Sequence, residues 1–417
     1  MLGLAGCTGA GLILPGAPID DTSPPSMSAP TGETAEPVVV PECGDRIAAA
    51  GELCFGPLVT APAPGPGSRI DAGDLNADGH PDLVTVSTEA SGVLAAFVND
   101  GTGGFSVASS TALRGSDVRF LQADTDGVPD LFVAGVPFRG NAVIFGDGDA
   151  LLPAEPDTYY YWNTIRRAVP VDWNDDGATD IAVVVPANGD AMQVGFDLSQ
   201  PGQTISDGGF VPVSSTDACT GGDVLAGDFA RTGVAHGVVA CGPQSTVTVY
   251  RYADDTGPYE TGLQVGTAVS VDSAPVALAA CDLDQDDDDD IVVAGPGGVT
   301  VLANNGSARL SAIDAWAAGD LVVAIACADL DFDGFPDVAT LEDGPAGGEG
   351  IRIRRGRGDL TLDGQSETIG LGPQEHDPTA FVVTDLDGDD ALDFALSFGF
   401  VDPEVPAPII GIVLADP

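Results

Sequence analysis

A nine-residue acidic loop recurs along this chain at a near-constant interval, and it restricts the possible folds more tightly than any other feature. Its cleanest copies begin at Asp74, Asp172 and Asp329 and share the pattern D-x-[DN]-x-D-G-x-x-D. If such a loop curls tightly, the oxygens at positions 1, 3, 5 and 9 converge on one point. Those are Asp74, Asn76, Asp78 and Asp82 in the first copy, Asp172, Asn174, Asp176 and Asp180 in the second, and Asp329, Asp331, Asp333 and Asp337 in the third. Hard cations such as calcium are held by oxygen cages of this kind. His80 lies inside the first loop, where its backbone would be the ligand.

Three further copies are degraded but usable. The loop 122–130 starts with Gln122 and keeps Asp124, Asp126 and Asp130. The loop 282–290 keeps Asp282, Asp284, Asp286 and Asp290, with Asp287 where the glycine is expected. The loop 385–393 keeps Asp385, Asp387, Asp389 and Asp393, with Asp390 at that position. Asp enters the left-handed region more readily than most residues, so these turns survive. A last copy, 228–236, retains only Asp228 and Gly233; Ala230, Thr232 and His236 stand at its other ligand positions, and it is expected to bind nothing. The sequence thus predicts three strong calcium sites and up to six in all.

The seven copies start 47 to 56 residues apart. A repeat of about 50 residues is the length of one propeller blade. The flanks are extended: Leu83-Val84-Thr85-Val86 follows the first loop and Ile291-Val292-Val293 the fifth. Such β-branched runs read as strands. An EF-hand is excluded, because it needs helices on both sides and a Glu at position 12, where this chain has Thr85, Val183, Val293, Thr340 or Leu396.

The loop, the apolar strand after it and the turn Val98-Asn99-Asp100-Gly101-Thr102-Gly103-Gly104-Phe105 resemble the FG-GAP/VCBS repeat family, which includes the propeller of integrin α subunits and many secreted bacterial proteins. The resemblance covers roughly residues 54 to 417. It implies an all-β fold, a seven-bladed β-propeller of four-stranded antiparallel blades, with calcium loops between first and second strands. The family's ligands carry over to loop positions 1, 3, 5 and 9, with a backbone carbonyl at 7. In the first repeat the strands would be 68–73, 82–87, 92–98 and 105–109. The last repeat has three strand candidates, and residues 55–60 are expected to supply its missing outer strand by pairing with 409–414. Closing the ring from both termini removes an open edge that would invite aggregation.

Ahead of the propeller, Leu4-Ala5-Gly6-Cys7 resembles a bacterial lipobox, with Cys7 as the lipidated residue, although the charged and most of the apolar part of such a signal are missing. Residues 8–41, rich in Pro, Thr, Ser, Gly and Ala, read as a disordered tether. Residues 42–54 form a small element in which Cys43 and Cys54 resemble the cysteine-rich motif of some myxobacterial surface proteins and should close a loop. The propeller fills 55–417. Six cysteines besides Cys7 suit an oxidising compartment. Cys219 and Cys241 flank the degraded loop symmetrically and are expected to pair; Cys281 and Cys327 either bridge neighbouring blades or are small buried hydrophobes.

The charge narrows the partners. Sixty-four acidic residues face 14 basic ones, all Arg, for a formal net charge of −50. That argues against nucleic acid and anionic membrane surfaces, leaving membrane attachment only through a lipid anchor. The one basic cluster, Arg352, Arg354, Arg355 and Arg357, is expected to pair with nearby carboxylates. No nucleophile elbow, phosphate loop or metal-hydrolase pattern is present. The chain therefore reads as a monomeric, calcium-stabilised extracellular or cell-surface module that binds a protein or glycan; a propeller-based polysaccharide lyase or hydrolase is the competing reading, and fold cannot decide between them. The aromatic run Tyr159-Tyr160-Tyr161-Trp162 is either a contact patch or an outer strand.

Overall fold

The structure is a computed structural model. It describes Cys43 and residues 50–90, 92–123, 126–160, 165–173, 179–184, 192–195, 211–212, 222–251, 264–344, 349–371, 377–399 and 409–416. Cys7 and the tether expected at 8–41 lie outside the described residues.

The acidic loops punctuate an all-β chain as the repeat predicts. In the first repeat the strands are Arg69–Gly73, Asp82–Val86, Leu94–Asn99 and Phe105–Thr111, paired in chain order as one antiparallel sheet. The second strand is buried at every residue and the fourth is largely half-buried or exposed. This gradient follows from a radial sheet with neighbours on both faces. Alternate side chains of one strand point to opposite faces. Leu83 accordingly packs in a cluster with Ala395 and Ile412 of the last sheet, while Val84 and Val86 pack with Val118, Leu131 and Val133 of the next.

Among the described residues the strands form seven antiparallel sheets, and six of these have the expected four strands. The prediction of seven four-stranded blades is corrected at the sheet starting with Val224–Gly227, which has five strands. Its third strand, Thr246–Arg251, meets two short pieces on its outer side, Gln264–Val265 and Val269–Ser270. The break falls at Gly266, whose N–H still reaches Val249 O at 2.7 Å. A glycine inside a strand weakens it and marks such interruptions.

The innermost strands are Arg69–Gly73, Asp117–Leu121, Arg167–Val171, Val224–Gly227, Ala277–Cys281, Leu321–Ala328 and Pro378–Thr384. Each packs against the next, and the last packs against the first. The last sheet takes its outermost strand from the beginning of the domain: Val59–Pro62 pairs antiparallel with Ile409–Val413. The sequence placed that strand at 55–60. The ladder instead starts at Val59, with Phe55 and Ala415 forming an isolated bridge beyond it. Pro62 is tolerated because this is an edge strand.

Cys43–Cys54 are disulfide-bonded, as expected. Cys241 is also disulfide-bonded, while its expected partner Cys219 lies outside the described residues. The choice left open for Cys281 and Cys327 resolves to a disulfide with Cα atoms 6.0 Å apart. It joins the innermost strands Ala277–Cys281 and Leu321–Ala328, and so staples adjacent sheets. Closing a loop of this length restricts the unfolded chain by about 4 kcal/mol. Replacing both cysteines by Ala should therefore lower the midpoint of urea unfolding and, because the freed unfolded chain exposes more surface, steepen its slope; an unaltered midpoint would show that the staple adds no stability.

Candidate metal centre

Each acidic loop follows an innermost strand and precedes the second strand of its sheet, so all of them gather at one end of the molecule. The turn itself is built by two left-handed residues. Position 6 has positive φ at Gly79, Gly127, Gly233 and Gly334, and also at Asp287 (66°) and Asp390 (68°), so Asp does substitute for Gly there. Position 4, which the pattern leaves unspecified, is left-handed at Ala77, Gln285, Phe332 and Gly388 as well. The position 1 carboxylate holds the curl together. Asp74 accepts N–H bonds from Asp78 (3.0 Å) and Gly79 (2.9 Å), and Asp282 does the same from Asp286 and Asp287. The degraded loop keeps this clasp: Asp228 accepts from Thr232 and Gly233, which explains why Asp228 and Gly233 suffice for the turn without a ligand set.

Position 9 carries a role the sequence did not reveal. Asp82, Asp130, Asp180, Asp290, Asp337 and Asp393 are almost fully buried. Asp82 accepts Leu75 N–H at 3.0 Å on one oxygen and Asn99 N–H at 2.9 Å on the other. Asp290 does so from Leu283 and Asn304, Asp337 from Leu330 and Gly356, and Asp393 from Leu386 and Ala415. The carboxylate therefore pins the loop to the third strand. Burial pushes the Asp82 carboxyl up to about 6 and those of Asp290, Asp337 and Asp393 up to about 7, against the lowering effect of these N–H bonds.

Three loops bring ligand candidates together, whereas Asp74, Asp78 and Asp82 of the first loop, though described, form no such group. Asp282, Asp284 and Asp290 place one carboxylate oxygen each within 4.8 Å of the others, as do Asp329, Asp331 and Asp333, and Asp385, Asp387 and Asp393. Asp284 Oδ1, Asp329 Oδ1 and Asp387 Oδ1 are buried without a hydrogen-bond partner. Burial, then the neighbouring carboxylates, push Asp284 and Asp387 upward. A buried acceptor left unpaired among like charges is what a cation would relieve. In the first loop the Asn76 side-chain amide donates to Asp78 Oδ2 at 2.8 Å. Asp124, Asn174 and Asp176 lie outside the described residues, whereas Asp126, Asp172 and Asp180 are described.

Among the described residues, Arg231 and Arg355 enter these loops. Arg231, from the degraded loop, donates to the Asp286 carbonyl and pairs with Asp286 (3.1 Å) and Asp288 (3.2 Å) in the next one. Arg355 pairs with buried Asp331 at 2.9 Å and with Glu367. Three of the four cluster arginines pair with carboxylates as expected, Arg352 with Glu342 at 2.6 Å, Arg357 with Asp363 and Arg355 as above; Arg354 instead lies over the Trp316 ring at 4.9 Å and donates to Asp363 O. The aromatic run is partly resolved as Thr158–Tyr160, an outer strand paired with Gly140–Ile144; Tyr161 and Trp162 lie outside the described residues.

A second polar network, unforeseen from sequence, runs along the innermost strands. Asp71 accepts Phe120 N–H, Asp117 accepts Ala168 N–H, and Asp223 accepts Leu278 N–H, each from the next sheet. Arg119 pairs with Asp117 at 3.4 Å and Arg167 with Asp223 at 3.5 Å.

This arrangement defines an all-β propeller of four-stranded antiparallel blades with acidic turn loops. Residues 74–133 and 282–340 match the FG-GAP-like repeat, so the chain carries that repeat at least twice, in keeping with an integrin-α-like FG-GAP propeller. No curated protein matches the sequence. Among solved structures, a chain from the crystal structure of BBS1N in complex with ARL6DN, soaked with mercury, superposes with a TM-score of 0.55 at 11% identity over 87% of this chain and 96% of that one. Its lead-soaked counterpart gives 0.54 with the same coverage. A lectin from Agrocybe aegerita, described as recognising non-reducing terminal N-acetylglucosamine, gives 0.49 at 17% identity over 74% and 81% of the two chains. At 11% identity the likeness to the first two is one of fold.

Proposed function

We propose that this protein is a calcium-stabilised extracellular binding module, recognising a protein or glycan and tethered at the cell surface through its N-terminal segment. The observation that carries the cation reading is the set of buried, unpartnered carboxylate oxygens, Asp284 Oδ1, Asp329 Oδ1 and Asp387 Oδ1, each in a loop with two further carboxylates close by. Oxygen-only donor sets suit a hard cation, and calcium tolerates the irregular geometry of such loops better than magnesium does. The residues assigned to it are those at positions 1, 3, 5 and 9, the position 9 carboxylate also holding backbone N–H groups. FG-GAP-like repeats and disulfides such as Cys281–Cys327 are compatible with an extracellular setting. No helix among the described residues is long and apolar enough to cross a membrane.

Anomalous scattering from crystals grown with calcium tests the cation assignment. Density should appear in the loops starting at Asp282, Asp329 and Asp385 and be missing from the one at Asp228; metal at Asp228, or none in those three, defeats it. A glycan array and a surface-protein pull-down, each with and without chelator, test the binding role. Retention of one ligand that is lost on chelation is the expected result.

A further inference from the structure

The end of the molecule away from the acidic loops holds a cavity of about 550 Å³, within the range of small-molecule sites. It is lined by residues at or just ahead of the start of the innermost strand of every sheet, among them Ser116, Gly222, Val276 and Leu321, so it opens around the axis of the ring. Its charges are sorted. Arg69, Arg166 and Arg167 come from the first and third sheets, whereas Asp343 and Asp377 come from the sixth and seventh. Three of only 14 arginines in a chain of net charge −50 thus share one cavity.

Arg69 and Arg167 differ from the arginines of the basic cluster. Arg352, Arg355 and Arg357 each meet a carboxylate within 3 Å. Arg69 forms no ion pair among the described residues; one terminal nitrogen donates to the carbonyls of Ser68 (2.8 Å) and Thr379 (3.1 Å), and the others have no described acceptor. A guanidinium carries five N–H donors in a fork that fits a carboxylate. Arg167 is only 12% exposed and has Asp223 at 3.5 Å as its charge partner. Burial draws its pKa down, and that aspartate offsets the shift only in part. Burial and then Asp377, Glu349 and Asp320 push the Asp343 carboxyl up, so a cation would be welcome beside it. No aromatic ring is among the described lining residues, so the platform on which a neutral sugar face would stack is missing.

We propose that this axial cavity binds a small zwitterion, its carboxylate held by Arg69 and Arg167 and its ammonium group facing Asp343 and Asp377. The site is independent of the acidic loops and of the binding role proposed above. Calorimetric titration of the calcium-loaded full-length protein with the dipeptide Ala-Ala, its N-acetyl derivative and its C-terminal amide tests it. Ala-Ala should bind at least tenfold more tightly than either blocked form. Arg69→Gln should weaken Ala-Ala binding at least tenfold with an unchanged melting curve, since the Arg167–Asp223 pair is left in place. Asp377→Asn should weaken Ala-Ala but leave the weak binding of N-acetyl-Ala-Ala as it is. Absence of heat with Ala-Ala, equal binding of the blocked dipeptides, or indifference to Arg69→Gln in a folded variant each overturns the proposal.

Discussion

Chelating divalent cations at neutral pH should lower the melting temperature of this protein by about 10 °C. Each loop saturated a hundredfold above its dissociation constant stabilises the fold by about 2.7 kcal/mol, and three such loops give about 8 kcal/mol. The unfolding entropy of a domain this size makes 1 kcal/mol worth roughly 1 °C. The pH dependence has a definite sign. In the metal-free fold, burial holds Asp82 at about 6 and Asp290, Asp337 and Asp393 at about 7, above the unfolded carboxyl value of about 3.9. A raised folded value means the native state keeps its proton more tightly than the unfolded chain. Its contribution is complete below about pH 4 and is lost as pH rises through about 6 to 7. In chelator the melting temperature should therefore fall across that window, and calcium should restore it at the neutral end by binding the ionised loops. Scanning calorimetry at several pH values with and without chelator checks both arms. Superimposable curves at neutral pH, or a melting temperature that climbs with pH in chelator, would leave the acidic loops without this explanation.

Within one loop, Asp82→Ala should be far more damaging than Asp78→Ala, and the gap should persist in chelator. Asp82 is fully buried and satisfies the N–H groups of Leu75 and Asn99. Removing an acceptor leaves a buried donor unsatisfied at about 1–3 kcal/mol each, so Asp82→Ala costs roughly 4 kcal/mol before any cation is considered. Asp78 is exposed and accepts from His80 N–H at the loop surface. Its loss should cost less than about 1 kcal/mol in chelator and show mainly as a smaller calcium-induced gain. Urea unfolding of the two variants with and without calcium separates the roles. Equal destabilisation in chelator would mean that position 9 is a ligand and not a pin.

Much of the architecture was legible because it is written in local patterns. The loop at 74–82 and the run after it gave the strand Asp82–Val86, and the turn at Asn99-Asp100-Gly101 gave the strand beginning at Phe105, both where expected. The carboxylate clusters at 282–290, 329–333 and 385–393 were readable for the same reason. The contacts that escaped join distant residues. Arg231 enters a loop 55 residues away, and Asn99 donates to Leu386 O across 287 positions. No periodicity announces such pairs. The broken outer edge at Gly266 and the start of the edge strand at Val59 depend on which hydrogen bonds the neighbouring strand offers, so the pattern alone could not place them. Position 9 was legible only in part. The spacing shows that a carboxylate is required there but not that its first duty is to backbone N–H groups.

The pairing of Val59–Pro62 with Ile409–Val413 has a mechanical consequence. Both chain ends leave from the same end of this ladder, where Phe55 bridges Ala415 and Asp416 N–H reaches Cys54 O at 2.9 Å. A pull between the two termini would load these hydrogen bonds one after another, as a zipper opens, and not all at once in shear. The rim strand should yield first and at low force, with the other sheets still intact. A single-molecule extension trace should then begin with one short, reversible step before the large rupture. A single rupture with no early step would mean that the seam is as strong as the blades it joins.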